Sequence, residues 1–267
     1  MTDFICPVCR KELESNGISY ICSEGHCFDI AKKGYVNLLM SNSAGRHGDD
    51  KLMVRARTEF LNAGYYAPLA DRLVSIAKGL VSGPAVIIDA GCGEGYYSAA
   101  IEQAGIGRVT GIDISREALI AAARRGKGMA LAVASTADMP VPDECADIVL
   151  NVFSPLFEDE FCRVLKDGGH LIRVVPMEKH LWEIKALVYD KPYENDAVEL
   201  ELNGFALEST DELRYDISLE SGEMIRNLFM MTPYYYKTGE NDQKKLQSAD
   251  KLKTAVEFCV AVYRKKS

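Results

Sequence analysis

"AVIIDAGCGEGYYSAAI", residues 85–101, opens on an apolar run, Val86-Ile87-Ile88, closes it with Asp89, and then sets glycine at the alternate positions 91, 93 and 95. An unbroken apolar strand is one buried on both faces, and the residues after Gly95 suit a helix. A strand that feeds a glycine-rich turn and then a helix is the first unit of a doubly wound parallel α/β sheet. The glycines let a ligand lie against the backbone, and the free amides at the helix start favour an anionic group. A dinucleotide site needs G-x-G-x-x-G, which would place glycine at 96. Tyr96 stands there and disfavours NAD.

The pattern Asp89-x-Gly91-x-Gly93-x-Gly95 resembles motif I of the class I S-adenosylmethionine-dependent methyltransferases. On that resemblance, Asp89 accepts from the methionine amine, directly or through water. "VTGIDIS" ends a second strand at Asp113, placed like the acidic residue that binds a ribose diol. "ALAVASTADMPVPDECADIVLNVFSP" (130–155) gives a short strand, a loop and a fourth strand over 146–153. Many such enzymes carry an adenine-binding aspartate where Ser135 falls here, so that single contact is in doubt. "CRVLKDGGHLIRVVP" (162–176) resembles the helix, turn and fifth strand. "LRYDISL" (213–219) and "TAVEFCVAVYRK" (254–265) look like the closing antiparallel pair. The expected fold class is thus α/β, a doubly wound seven-stranded class I methyltransferase (Rossmann-like) sheet.

Upstream, Cys6-x2-Cys9-x12-Cys22-x3-His26 has the spacing of a closed four-ligand zinc site, two ligands on one knuckle and two after a hairpin-length loop. Such a site leaves no place for substrate and supplies folding energy that so short a segment lacks. Redox Cys-x-x-Cys and plain buried thiols are the competing readings; the first usually sits beside a strand-helix-strand unit, absent here. His26 and Cys27 are neighbours that point opposite ways in extended chain, so spacing alone allows either as the fourth ligand.

The 267 residues suffice for one large domain and a small appendage. No apolar run reaches membrane-spanning length, and "MTDFICPVCRK" does not read as a secretory signal. Eight cysteines in that setting point to a reducing cytoplasm and metal binding more than to disulfides. The net charge of −8 argues against a surface coated for nonspecific nucleic-acid binding. Between Ile30 and Arg57, however, Lys32, Lys33, Arg46, Lys51, Arg55 and Arg57 face only Asp49 and Asp50. That stretch is either a solvated connector or a phosphate-contacting patch. Residues 52–80 read as one or two linking helices, 180–190 as an amphipathic helix, and "SGEMIRNLFMM" (221–231) as another. Tyr234, Tyr235 and Tyr236 suit core packing or, alternatively, stacking on a nucleobase.

The cysteine–histidine cluster running into "FDIAKKGYVNLL", then "RTEFLNAGYYAPL", then "DAGCGEGYY", resembles the bacterial 23S rRNA (guanine-N1)-methyltransferases, the RlmA/TlrB group. The likeness spans about the first 185 residues closely and the remainder loosely. It implies zinc ligands at Cys6, Cys9, Cys22 and His26, with Cys27 a bystander, and cofactor-binding positions at Tyr66, Gly93, Glu94 and His180. It further implies residues 1–35 as a zinc-binding RNA-recognition module, 36–80 as basic connector and linking helices, and 81–267 as the methyltransferase domain. The implied reaction moves methyl from S-adenosylmethionine to N1 of a guanine in a 23S rRNA hairpin loop, with a homodimer embracing the hairpin. One branch of that family is associated with macrolide resistance; nothing in the sequence assigns this chain to a branch. Asn151 and Ser154, after the fourth strand, stand where many methyltransferases bind their target, although a capped strand end reads equally well. No general base can be named from the sequence. Two rivals remain at this level: a small-molecule methyltransferase with a purely structural zinc, and a noncatalytic zinc-dependent RNA-binding protein.

Overall fold

The computed structural model describes residues 4–40 and 48–266, so that Arg46 of the basic stretch lies outside the described residues. The chain begins with a three-stranded antiparallel ribbon, β1 (Leu13–Ser15), β2 (Ser19–Cys22) and β3 (Cys27–Asp29). A two-residue strand β4 (Val36–Asn37) follows, then helices α1 (Lys51–Asn62) and α2 (Ala67–Leu80). Asp50 caps α1, its carboxylate accepting from the amides of Leu52 and Met53 at 2.8 and 2.9 Å, which satisfies two amides that the helix itself leaves unpaired.

From there strands and helices alternate: β5 (Ala85–Ala90), α3 (Tyr96–Gln103), β6 (Gly107–Asp113), α4 (Arg116–Arg125), β7 (Ala130–Val133), β8 (Ala146–Val152), α5 (Glu158–Val164) and β9 (Leu165–Pro176). Helix α6 (Trp182–Val188), the long strand β10 (Phe205–Leu219), helices α7 (Gly222–Met230) and α8 (Tyr234–Lys237), and strand β11 (Leu252–Lys265) complete the frame. The sheet runs β10-β11-β9-β8-β5-β6-β7-β4. Seven of these strands are those read from the sequence, with β10 and β11 antiparallel as expected. The eighth, β4, comes from the connector and pairs parallel to β7 through Val36–Ala132.

Strand β5 alternates its apolar residues between two cores. Ile87 joins a cluster with Phe60, Leu73, Ile101, Leu119 and Ile184 from the helices on one face. Ile88 joins the other, where α5 is the helix that contributes, through Phe161. The ribbon fills part of that second face: Phe4, Cys6, Leu13 and Cys22 pack in one cluster with Ala132, Met139 and Val149. Ile5 N–H donates to the Pro140 carbonyl at 2.8 Å, and Arg10 pairs with Asp138 at 3.0 Å. A parallel sheet needs both faces covered. The N-terminal module therefore serves as a cover of the sheet.

The chain crosses from the β5–β6–β7 side to the β8–β9 side between β5 and β8, the switch point where such sheets open a crevice at their carboxyl ends. No helix among the described residues is long and apolar enough to cross a membrane.

Candidate donor site, acceptor cleft and metal centre

A cavity of about 940 Å³ opens at that switch point. Gly91, Gly93 and Gly95 all adopt positive φ, at 86°, 55° and 77°. At two of them space is also decisive. A Cβ on Gly91 would stand 2.4 Å from Ser154 Cβ, and one on Gly95 would stand 2.9 Å from Ala122 Cβ. Side chains there would push away the loop after β8 or α4, so glycine is required for both conformation and contact.

Under the glycine loop, Asp89 is buried. Its Oδ2 accepts from Ser98 Oγ, while Oδ1 is buried without a partner. Burial pushes its carboxyl up to about 7, partly offset by the Ser98 hydroxyl. A buried carboxylate oxygen with no donor is a vacant place for a cation or an N–H group. The buried hydroxyl of Tyr97, also on the cavity wall, lacks a partner as well. Asp113 at the end of β6 accepts from the amides of Gly93 (2.8 Å) and Ser115 (2.7 Å), which ties the glycine loop to the second strand. An amine over Asp89 and a diol beside Asp113 are what this lining can hold, and S-adenosylmethionine has both.

Tyr66 borders the cavity with its ring edge-on to Phe60 and Phe258, each at 5.1 Å, and burial raises its phenol far above the ordinary range. His180 lies on the same wall, 4.8 Å from the Phe258 ring. Glu94 reaches the cavity through the loop, but its carboxylate turns toward the helices. Arg125 Nη2 donates to it at 2.6 Å and Thr58 Oγ1 at 3.2 Å. Burial raises the Glu94 carboxyl and Arg125 opposes that rise. Gly48, Asp49 and Arg57 also line the cavity; Ser115 Oγ donates to the Asp49 carbonyl at 2.7 Å, and Arg57 pairs with the Asp49 carboxylate.

The same cavity is also lined by Phe153, Ser154, Tyr193, Glu194, Asn195, Asp196 and Tyr234. Asn151 is not on this wall. Buried at the end of β8, it donates from Nδ2 to the Ser154 hydroxyl at 2.6 Å and to the Pro155 carbonyl at 3.1 Å. What it does here is cap the strand, whereas Ser154 does face the cavity and donates to the Ala90 carbonyl. The segment at 193–196 is held by Lys185, a fully buried lysine with no ion pair among the described residues. Its Nζ donates to the Tyr193 carbonyl (2.9 Å) and Asn195 Oδ1 (2.7 Å) and sits 4.9 Å from the ring centres of Tyr193 and Tyr234. Of the three consecutive tyrosines, Tyr234 is buried and Tyr236 is exposed; they form a short helix.

The sequence signal for Lys185 is weak, because one lysine in an amphipathic helix reads as a solvent-facing charge. Phe153 was readable as part of the fourth strand's end, but its backbone conformation was not.

In the ribbon, Cys6, Cys9, Cys22 and His26 converge with all four donor atoms within 4.8 Å of one another. Cys6 Sγ and Cys22 Sγ lie 3.6 and 3.3 Å from His26 Nδ1, and Cys9 Sγ lies 3.6 Å from Cys22 Sγ. A tetrahedral ion with bonds of about 2.3 Å to sulfur and about 2.0 Å to nitrogen has edges of about 3.5–3.8 Å. The donor set and its spacing therefore fit zinc. Cys27 is exposed and outside the cluster.

Residues 4–43 match a zinc-ribbon family profile described as "RlmA, N-terminal", and residues 88–173 match one described as "Methyltransferase domain". A Bacillus subtilis (strain 168) protein named "Putative 23S rRNA (guanine-N(1)-)-methyltransferase YxjB" is 34% identical over 263 residues, covering 92% of this chain and 93% of the relative. The Streptomyces fradiae "23S rRNA (guanine(748)-N(1))-methyltransferase" is 37% identical over 183 residues, 67% of this chain and 65% of that protein. Among solved structures, a Bacillus halodurans C-125 protein titled a "putative methyltransferase (BH2331)" shares the fold, with a TM-score of 0.53 at 18% identity over 74% of this chain and 99% of that one. The chain belongs to the 23S rRNA (guanine-N1)-methyltransferase family, with a zinc ribbon set ahead of an S-adenosylmethionine-dependent methyltransferase domain.

Proposed function

We propose that this enzyme transfers the methyl group of S-adenosylmethionine to N1 of a guanine in a hairpin loop of 23S rRNA. The observation that carries the reading is a single cavity with two unlike parts to its lining. One part of its lining is the glycine loop with the unpartnered Asp89 oxygen; another is a set of aromatic and polar side chains that includes Phe153, Tyr193 and Glu194. When bound, S-adenosylmethionine supplies a methyl group on a positively charged sulfur.

In this reading Asp89 accepts from the donor's amine, the backbone of Gly91, Gly93, Glu94 and Gly95 lies against it, Asp113 accepts from the ribose diol, and Tyr66 and His180 wall its methionine end. Cys6, Cys9, Cys22 and His26 hold the zinc. The N1 lone pair forms the new N–C bond as the S–C bond breaks, so the two must be held about 3–3.5 Å apart and in line. N1 of neutral guanine carries a proton and lies on the pairing edge. The base must therefore leave its stack, and the proton must pass to an oxygen acceptor or water. Ser154, Glu194 and Asp196 put such acceptors on the cavity lining.

The ribbon and the turn at Lys32 and Lys33 would grip phosphates flanking the loop. An rRNA substrate would place the enzyme in the cytoplasm.

Labelled S-adenosylmethionine incubated with the zinc-loaded protein and unmodified 23S rRNA, followed by nucleoside analysis, tests this. The expected product is 1-methylguanosine in 23S rRNA. Label recovered only in small molecules would instead support a metabolite methyltransferase.

A further inference from the structure

We propose that Phe153 is the stacking wall for the target base, held in a strained backbone conformation to present its ring to the cavity. This rests on the rRNA reading above and names the residue that receives the base.

Phe153 has φ of +54°, a region that bulky residues rarely adopt and that glycine or asparagine fills at little cost. Among the described residues four non-glycines have positive φ, and two of them, Phe153 and Leu181, line this cavity. The strain at Phe153 is not offset by full burial, because the residue stays 44% exposed. A phenylalanine that is both strained and half in solvent offsets only part of that strain by packing, so its ring has another use.

The surroundings show how the ring is fixed. The Phe153 N–H donates to the Val174 carbonyl at 3.2 Å on one side. On the other, Ser154 Oγ donates to the carbonyl of Ala90, and Asn151 Nδ2 donates to the Ser154 and Pro155 carbonyls at 3.2 and 3.1 Å. Ala90 sits between Asp89 and Gly91, so the loop that carries the ring is bonded to the loop that holds the donor. The ring is backed by Phe258 at 5.1 Å, with Tyr97 at 6.4 Å and Tyr66 at 6.5 Å. A planar surface fixed beside the glycine loop suits a planar acceptor turned out of its stack. Every base offers a π-face, and aromatic stacking is how unpaired bases are received. An aliphatic acceptor would gain nothing from this geometry.

The test compares F153G, F153L and F153Y with the parent chain. Three readouts are taken: thermal melting, donor affinity by calorimetry, and kcat/KM for methylation of unmodified 23S rRNA. Stacking on one base corresponds to about a ten- to hundred-fold effect. We expect F153G to melt no lower than the parent, to bind the donor within about two-fold of it, and to lose about ten- to hundred-fold in kcat/KM. F153L should lose a comparable amount, and F153Y should stay within about three-fold of the parent. If F153G melts lower, the comparison of F153L with F153Y carries the test alone. Activity of F153L equal to that of F153Y overturns the stacking role. A parent chain that binds the donor and methylates no rRNA overturns the functional reading itself, a result distinct from any difference among the variants.

Discussion

The backbone N–H of Glu257 donates to His180 Nδ1 at 3.1 Å, which leaves the neutral ring with its proton on Nε2. Burial, with the Lys185 ammonium nearby, depresses the imidazolium to about 3. In the unfolded chain the same ring takes a proton near its ordinary value. Between those two values the unfolded state binds more protons, so stability conferred at neutral pH is lost as the pH falls below about 6.5. At pH 5 this amounts to about 2 kcal/mol. H180N, which keeps an acceptor and removes the titration, should lose less stability than the parent between pH 8 and pH 5, as read from urea melts. Parallel losses in the two proteins would show that the ring is protonated in place.

Asp89 has the opposite sign. Its carboxyl is raised to about 7 by burial, so the folded chain without donor holds this proton more tightly than the unfolded chain, and stability from this group falls as the pH rises through 7. D89N should therefore melt above the parent at pH 8 in the absence of donor. The same change should weaken S-adenosylmethionine binding by about ten-fold or more, since a hydrogen bond to a charged group is lost. Parent affinity should fall as the pH drops below 7, and D89N should be flat across that range. Calorimetry at pH 6, 7 and 8 reads both effects.

The ribbon shares a core with the sheet through Phe4, Cys6, Leu13 and Cys22, so its metal stabilises more than the ribbon. Zinc removal by a chelator, or C22A, should lower the melting temperature of the whole chain and reduce rRNA binding while donor binding persists. C27S should keep one equivalent of zinc, measured by metal analysis, because that side chain is exposed and outside the cluster. Loss of zinc in C27S together with its retention in H26A would reverse the ligand assignment.

The parts of this molecule that were legible in its sequence are those where backbone geometry restricts residue choice. Glycines 91 and 95 are forced by contact with Ser154 after β8 and with α4, the knuckles by four convergent donors, and the doubly wound sheet by the alternation of strand and helix. Strand β4 escaped because two residues carry no periodicity. The basic stretch left a solvated connector and a phosphate-contacting patch both open because sequence does not show pairing. In the fold Asp50 caps α1, Arg57 pairs with Asp49, and Arg55 pairs with Glu59 at 2.7 Å. Asn151 read as either a target contact or a capped strand end, and in the fold its amide is committed to that strand's own turn. The buried Lys185 cage depends on a strap without regular structure, for which no pattern exists to be read.

Lys32 and Lys33 are what the fold leaves of that patch near the ribbon. They are exposed on the turn that Gly34 closes by donating to the Ala31 carbonyl at 2.8 Å, and neither has an ion-pair partner among the described residues. If both contact phosphates, K32A/K33A should flatten the dependence of log K on log salt by about 1.4 to 1.8, the release expected from two neutralised phosphates. Donor affinity should not change. An unaltered salt slope, measured by fluorescence anisotropy with a 23S rRNA hairpin, would remove these lysines from the interface.

Glu94 and Arg125 make the pair that joins the glycine loop to α4. The carboxylate is 2% exposed and the guanidinium 19%, with Nη2 at 2.6 Å from Oε2, and Glu94 Oε1 is buried without a partner. Removing one member of a buried pair strands the other, a cost of about 3–5 kcal/mol when the stranded charge cannot reach water. Burial already favours the protonated carboxyl of Glu94, so R125M should raise it further and allow part of that cost to be relieved at low pH. R125M should thus be destabilised most at pH 8 and less at pH 5, whereas E94Q, which leaves a partly exposed guanidinium, should be destabilised less at both. Because the pair fixes the loop's far side and Glu94 Oε2 is held by Arg125 and Thr58, R125M should weaken donor binding through loop disorder. E94Q should keep donor affinity within a few-fold. A loss of affinity in E94Q as large as in D89N would mean that the Glu94 carboxylate itself turns to meet the donor.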